Sequence, residues 1–191
     1  IDPNGPGGKP ISVFESGAIL QYLGRKSGKF YPKNERERSN VDQWLFWQMG
    51  GLGPMAGQAH HFRMYAPQFT KEKLTYSKKR YTNEVNRLYG VMNKQLRKND
   101  YLAGRYSIAD MACWGWILPS KISTKMQGQK LKDFPHLFKW FEKVGKRPAV
   151  QKGLDVGKVM RMLAKASRSG LSEKTKEAKK ARSLLFNQKA R

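Results

Sequence analysis

The chain has 191 residues, 39% of them hydrophobic and five of them tryptophan, enough to bury a sizeable core, and no apolar run approaches the roughly 20 residues of a membrane helix. Its 38 Lys and Arg against 14 Asp and Glu give a net charge of +24, which favours anionic partners in a salt-dependent way and says little about fold. The single cysteine, Cys113, excludes an internal disulfide and a Cys-x-x-Cys redox pair.

Residues 158–191 hold 11 basic and 2 acidic residues, and the rest of the chain holds 27 and 12, so the excess is spread over the surface rather than gathered in one arm. The opening Ile1-Asp2-Pro3 reads as the interior of a domain. Turn residues fill Asp2–Pro10 and predict a hairpin from Ile1 to Ile11-Ser12-Val13-Phe14, which alternates as a half-buried strand does. Ile19, Leu20, Tyr22 and Leu23 then recur at helical spacing, so Glu15 and Ser16 stand where strand turns into helix. The first amides of a helix lack partners and carry partial positive charge, so Ser16 and its neighbours suit an incoming carboxylate, and Glu15 beside them suits an ammonium. The alternative is that Ser16 is simply an N-cap. This helix is expected to stop at Ser27-Gly28, followed by a connector through Pro32.

Asn34-Glu35-Arg36-Glu37 has the form of a capped start, and Val41, Trp44, Leu45, Gln48 and Leu52 continue at steps of three and four. Gly50-Gly51-Leu52-Gly53-Pro54 should kink that helix or admit another backbone. A phosphate cradle there would need a preceding strand and a following Gly-Lys-Ser/Thr, and neither is present. His60 and His61 invite a metal reading, but zinc needs three or four ligands, and the other His and Cys, His136 and Cys113, sit in apolar helical patterns. Residues 65–75 read as a loop, and Tyr81, Val85, Leu88, Met92 and Leu96 as the next helix. Ser107 with Asp110 three residues on is a close variant of the capping box, with Tyr106 and Met111 placed for a hydrophobic staple, which makes Asp110 a folding residue rather than a catalytic acid. The apolar helix from Met111 to Leu118 should be central and buried, with Cys113 an inert small hydrophobe. Pro135 and Pro148 open two further helices. Ser167–Gly170 reads as a hinge, and Ser172 as the cap of a helix toward Phe186.

Three blocks, Val13-Phe14-Glu15-Ser16-Gly17-Ala18-Ile19, residues 44–55 from Trp44 to Met55, and Gly57-Gln58-Ala59-His60-His61-Phe62, resemble the glutathione transferase superfamily, and within it the nu-class disulfide-bond oxidoreductases. The resemblance implies a mainly α fold: an all-helical C-terminal domain preceded by the last strand and helix of a thioredoxin-like α/β domain. The corresponding boundaries are 1–28 for the thioredoxin-like remnant, 29–33 for the linker, 34–157 for the helical domain and 158–191 for a basic, partly helical extension. It also implies that Glu15 and Ser16 hold the γ-glutamyl end of glutathione, the cosubstrate. Arg80 would reach glutathione on the neighbouring subunit of a homodimer, and Met49, Gly53, Met55, Gln58 and His61 would line the cleft for a disulfide or electrophilic small molecule. The groups that touch sulfur are expected upstream of Ile1, so these 191 residues should bind without turnover. A cytoplasmic location follows, with no membrane contact and only non-specific nucleic-acid binding. The competing reading is a non-catalytic assembly module, which would not need to keep Glu15 and Ser16 together with the cleft block.

Overall fold

The helix that carries Ser16 is anchored through its other end. In the computed structural model, which describes residues 1–156, α1 (Ser16–Ser27) ends at Gly28 with φ +66, the left-handed stop expected of glycine. Gln21 donates to Asp42 (2.8 Å) and to the Tyr31 hydroxyl (3.2 Å), and Tyr31 in turn donates to Asp42 (3.0 Å). Beneath this polar clasp, Tyr31, Val41, Leu45, Ile108 and Ala109 form a buried cluster against which Leu20 and Met49 pack. The connector is fixed as well, since the Ile108 amide donates to the Phe30 carbonyl (3.0 Å).

Helix α2 (Glu35–Trp47) starts as its sequence predicts, with the Asn34 side chain accepting from the Glu37 amide at 3.2 Å. The glycine-rich block does not break the helix that follows. Residues Gln48–Leu52 form one wide π turn in which the Gly53 amide donates to the Gln48 carbonyl, and α3 (Gly53–His60) continues from it. The extra residue lets Pro54, which has no N–H to give, sit in the first turn of α3. Nor is 65–75 wholly loop. A second π turn runs over His61–Tyr65 and a short 3-10 turn over Ala66–Gln68, and α4 (Thr75–Leu96) already begins at Thr75. Val85, Leu88, Met92 and Leu96 face inward from α4 as the spacing required, joined by Tyr89.

The central helix α5 (Ile108–Ile122) is longer than the apolar run Met111–Leu118, because it runs through Pro119. The carbonyl that a proline ring crowds belongs to the residue four before it, here Gly115, which has no side chain to add to the crowding. After a short α6 (Thr124–Gln127), helix α7 (Pro135–Gly145) packs its apolar face through Leu137, Trp140, Phe141 and Val144. The Trp114 and Phe141 rings stack at 4.9 Å. The Asn93 side chain caps α7 from α4, accepting from the His136 (2.9 Å) and Leu137 (3.1 Å) amides. By its contacts the chain divides into Ile1–Val144 and Gly145–Arg191, and α8 (Pro148–Asp155) lies in the second unit. The hinge at Ser167–Gly170, the Ser172 cap, and residues 158–191 generally lie outside the described residues.

The expected strand is the main correction. Among the described residues β pairing is confined to two isolated bridges, Asp2 with Ile11 and Ala103 with Arg105. Ile11 pairs, but Phe14 is 81% exposed, so the alternation in Ile11–Phe14 is not realised as a half-buried strand. An apolar alternation becomes a strand only when a neighbour supplies its hydrogen bonds. The hairpin is tied instead by Asp2, whose carboxylate accepts from Lys26 and from the Tyr22 hydroxyl (2.6 Å). Those bonds, Lys26 first, hold the Asp2 carboxyl down at about 2. A depressed carboxyl stabilises above its ordinary value and ceases to do so as pH falls through the lowered one. Acidifying from about pH 4 to about pH 2 is therefore expected to release the hairpin from α1, read as faster exchange of the Ile11 amide by NMR. Asp2→Asn should show that faster exchange at neutral pH and no further acid step.

Candidate functional site

At the entry to α1 the backbone is strained. Glu15 has φ +66 and ψ 119, a region that side-chain-bearing residues rarely adopt. The strain turns the chain sharply into the helix, so that Glu15 and Ser16 are both exposed, and no side chain caps the helix end. Ser16 is thus not an N-cap. The first intrahelical bond runs from the Ile19 amide to the Glu15 carbonyl (2.9 Å), which leaves the amides of Ser16, Gly17 and Ala18 without intrahelical acceptors. One hydroxyl, three amides at a positive helix end and an adjacent carboxylate form a corner that can hold a carboxylate and an ammonium together.

Met49 supports this corner from the π turn. The Ser16 hydroxyl lies 3.8 Å from the Met49 sulfur, a weak contact that leaves the hydroxyl available to a better acceptor. Gly17 is buried against the same side chain, and a Cβ on it would lie 3.0 Å from the Met49 methyl carbon. The other residues expected in a cleft lie on α3 and at the start of the turn that follows it. Gly53 is a packing residue, because a Cβ there would stand 2.8 Å from the Gln48 amide nitrogen and 3.1 Å from the Trp116 indole nitrogen. What comes close to the glycine block is therefore a side chain and not another backbone. Met55 is half-buried on α3, while Gln58 and His61 are exposed farther along. His60 stacks on Tyr65 at 5.1 Å, and His61 meets Phe62 edge-on. Among the described residues no three of His, Cys, Asp and Glu are grouped to hold a metal.

Two residues outside the expected site set shape this region. Trp116 lies across Gly53 and Gly57, its ring 3.6 Å from where a Gly57 Cβ would be. Glycines four apart share one helix face, and that spacing was the available signal. Gln48 is buried in the π turn, and among the described residues its Oε1 has no hydrogen-bond partner.

Arg80 is exposed on α4 and lies 3.8 Å from Glu84. Arg87 holds the same carboxylate by two bonds of 2.7 and 3.0 Å and keeps it below the usual carboxylate range. Arg80 is left on the looser pair. Asp110 is fully buried and accepts from the amides of Leu102 and Ser107 and from the Trp140 indole, so it is committed to structure. Cys113 is buried beside it, and burial, with the Asp110 charge adding, pushes its thiol well up, away from nucleophilic use. Among the described residues no helix is long and apolar enough to cross a membrane.

Residues 59–154 match the family model described as glutathione S-transferase, C-terminal domain. The disulfide-bond oxidoreductase YfcG of Escherichia coli (strain K12) is 47% identical over 149 residues, a match covering 78% of this chain and 66% of that protein. YghU of the same organism, also named a disulfide-bond oxidoreductase, is 39% identical over 148 residues, covering 75% and 50%. Among solved structures, a glutathione transferase from Pseudomonas putida with one glutathione disulfide bound per subunit superposes with a TM-score of 0.73 at 40% identity, over 81% of this chain and 67% of that one. A second, from Burkholderia graminis with two glutathione molecules per subunit, gives 0.73 and 40% over 80% and 64%. The chain thus spans between half and two thirds of the E. coli relatives it matches.

Proposed function

Because the chain belongs to the glutathione S-transferase family, we propose that it serves a glutathione-dependent enzyme that reduces disulfides by thiol–disulfide exchange. In that chemistry a glutathione thiolate attacks one sulfur of a disulfide, forms a mixed disulfide and expels the other sulfur as a thiolate. A second glutathione thiolate then attacks the glutathione sulfur of the mixed disulfide, which yields glutathione disulfide and frees the remaining thiolate. Two electrons pass to the substrate, and its two thiolates take up protons from water. Relatives named as disulfide-bond oxidoreductases, and neighbours holding glutathione disulfide or two glutathiones, support this reading.

The observation that carries it is the open corner at Glu15 and Ser16. The γ-glutamyl end of glutathione has a free carboxylate beside a free ammonium, and the corner offers a hydroxyl and amides to one and a carboxylate to the other. In this reading residues 1–28 are the closing part of a thioredoxin-like domain and 34–157 the helical domain that supports it. Arg80, on its loose pair, turns to the glycyl carboxylate of glutathione on a second copy in a cytoplasmic homodimer. The test is glutathione binding by calorimetry. Ser16→Ala removes a hydrogen bond to a charged group and should weaken binding about 10- to 100-fold. Unchanged affinity in that variant would overturn the assignment of the corner.

A further inference from the structure

In the turns before α4 and at its start the chain gathers charge without neutralising it. Between His61 and Asn83 there are six Lys or Arg and one carboxylate, Glu72. Arg63, Lys73, Thr75, Lys78, Lys79 and Thr82 are among the residues lining an open concavity of about 610 Å³ beside the start of α4. Among the described residues, none of Arg63, Lys73, Lys78 and Lys79 is paired with a carboxylate. Arg63 is held in place by neutral groups, donating to the Lys125 carbonyl (2.9 Å) and to the Thr82 hydroxyl (3.4 Å).

The placement works against the helix. Its first turn has no acidic residue and no side-chain cap, and Lys78 and Lys79 add positive charge where the helix end is already positive. Such an arrangement is unfavourable in isolation and becomes favourable once an anion is bound. Two large aromatic side chains stand exposed in the same stretch, Tyr76 at 80% and Phe69 at 68%. Charge that follows a backbone, with aromatic faces beside it for bases, is the pattern by which single strands are held without sequence preference. A concave surface fits a strand, whereas a bilayer is met by protruding surfaces.

We propose that this concavity binds single-stranded nucleic acid, with phosphates on Arg63, Lys73, Lys78 and Lys79 and a base stacked on Tyr76. Arg80, given to glutathione on a second copy, follows Lys79 directly and is left out of the strand contacts, so Ser16→Ala, which weakens glutathione binding, should leave strand binding unchanged.

The test is fluorescence anisotropy of a labelled oligothymidylate with the full chain over a salt series. Because the whole chain is cationic, the informative comparison is between two variants of equal charge change. Lys73→Glu/Lys78→Glu/Lys79→Glu should weaken binding at least about tenfold and flatten the slope of log K against log salt by about 2, near 0.7 per lost phosphate contact. Lys98→Glu/Lys132→Glu/Lys139→Glu, exposed residues elsewhere, should leave the affinity within a factor of about three. Tyr76→Ala should weaken binding by at least about fivefold, and the loss should persist at high salt, where stacking is not screened. If the charge-reversed triple does not fold, as judged by circular dichroism, Lys78→Gln/Lys79→Gln takes its place, with a slope change of about 1.4. Equal weakening by both triples would mean diffuse attraction only and would overturn the proposal. So would an inert Tyr76→Ala, or binding to phosphatidylserine vesicles with none to the oligonucleotide.

Discussion

Asp110→Ala is expected to cost about 4 kcal/mol of folding stability, without touching any group that contacts a ligand. The carboxylate accepts from the Leu102 amide (3.1 Å), the Ser107 amide (3.0 Å), the Trp140 indole (2.8 Å) and the Ser107 hydroxyl (3.3 Å). It thereby ties the start of α5, the loop before it and α7 to one atom pair. Alanine would leave two amides and an indole N–H buried without acceptors, and each such group carries its own desolvation penalty. For a chain of this size the loss corresponds to a fall in Tm of roughly 8–16 °C. Asp110→Asn keeps one acceptor oxygen toward Leu102 and Trp140 but turns an amide donor on the Ser107 amide, so about half the loss is expected.

The pH dependence of this site has a defined sign. Burial raises the Asp110 carboxyl against the pull of its hydrogen bonds. A raised carboxyl contributes its stability below the unfolded value and loses it as pH rises through the folded value. The stability gap between wild type and Asp110→Asn should therefore widen as pH falls toward 4, not narrow. Urea midpoints across that range measure both effects, with the slope of the transition unchanged if compactness is unchanged. A midpoint for Asp110→Ala within about 1 kcal/mol of wild type would contradict the role given to this carboxylate.

What was legible in advance was what is local. Ser107 and Asp110 are three residues apart, and a capping box depends on nothing farther away. The inward positions of α4 followed from spacing for the same reason. The Trp140 bond to Asp110 joins residues 30 apart and could not be read from either. At the corner, the sequence placed Glu15 and Ser16 at a helix start, but the φ of Glu15 and the absence of a cap are set by how α1 docks. The strand at Ile11–Phe14 was misread because pairing is a property of two segments, and only Asp2 pairs with it. How the helix takes up the proline of the glycine block, by one wide turn, depends on the backbone path and not on spacing. Arg63, Lys73, Lys78 and Lys79 are plain in the sequence, yet their gathering at one concavity requires the turns at 61–68 to fold back beside α4.

Gly24→Val is the sharpest test of whether the docking of α1 sets the corner. Gly24 is buried, and a Cβ built on it would lie 2.6 Å from the Tyr31 Cβ and 3.3 Å from its Cγ. A Cβ cannot swing aside as the end of a long side chain can, so either α1 or the connector must move. Overpacking of this kind costs about 3 kcal/mol, and here it also strains the clasp among Gln21, Tyr31 and Asp42. Ser16 lies eight residues away along the same helix, about 12 Å at the helical rise, and a rigid helix carries the displacement to it. Glutathione affinity should consequently fall at least about tenfold, as the hydroxyl and the three amides leave register with the γ-glutamyl group. Tyr31→Gly in the Gly24→Val background removes the clashing Cβ and separates the two causes. Recovery of glutathione affinity without full recovery of stability would show that the position of α1, and not the strength of the fold, governs the corner. Undiminished affinity in Gly24→Val, at a stability reduced as expected, would show that the corner holds its shape without that contact.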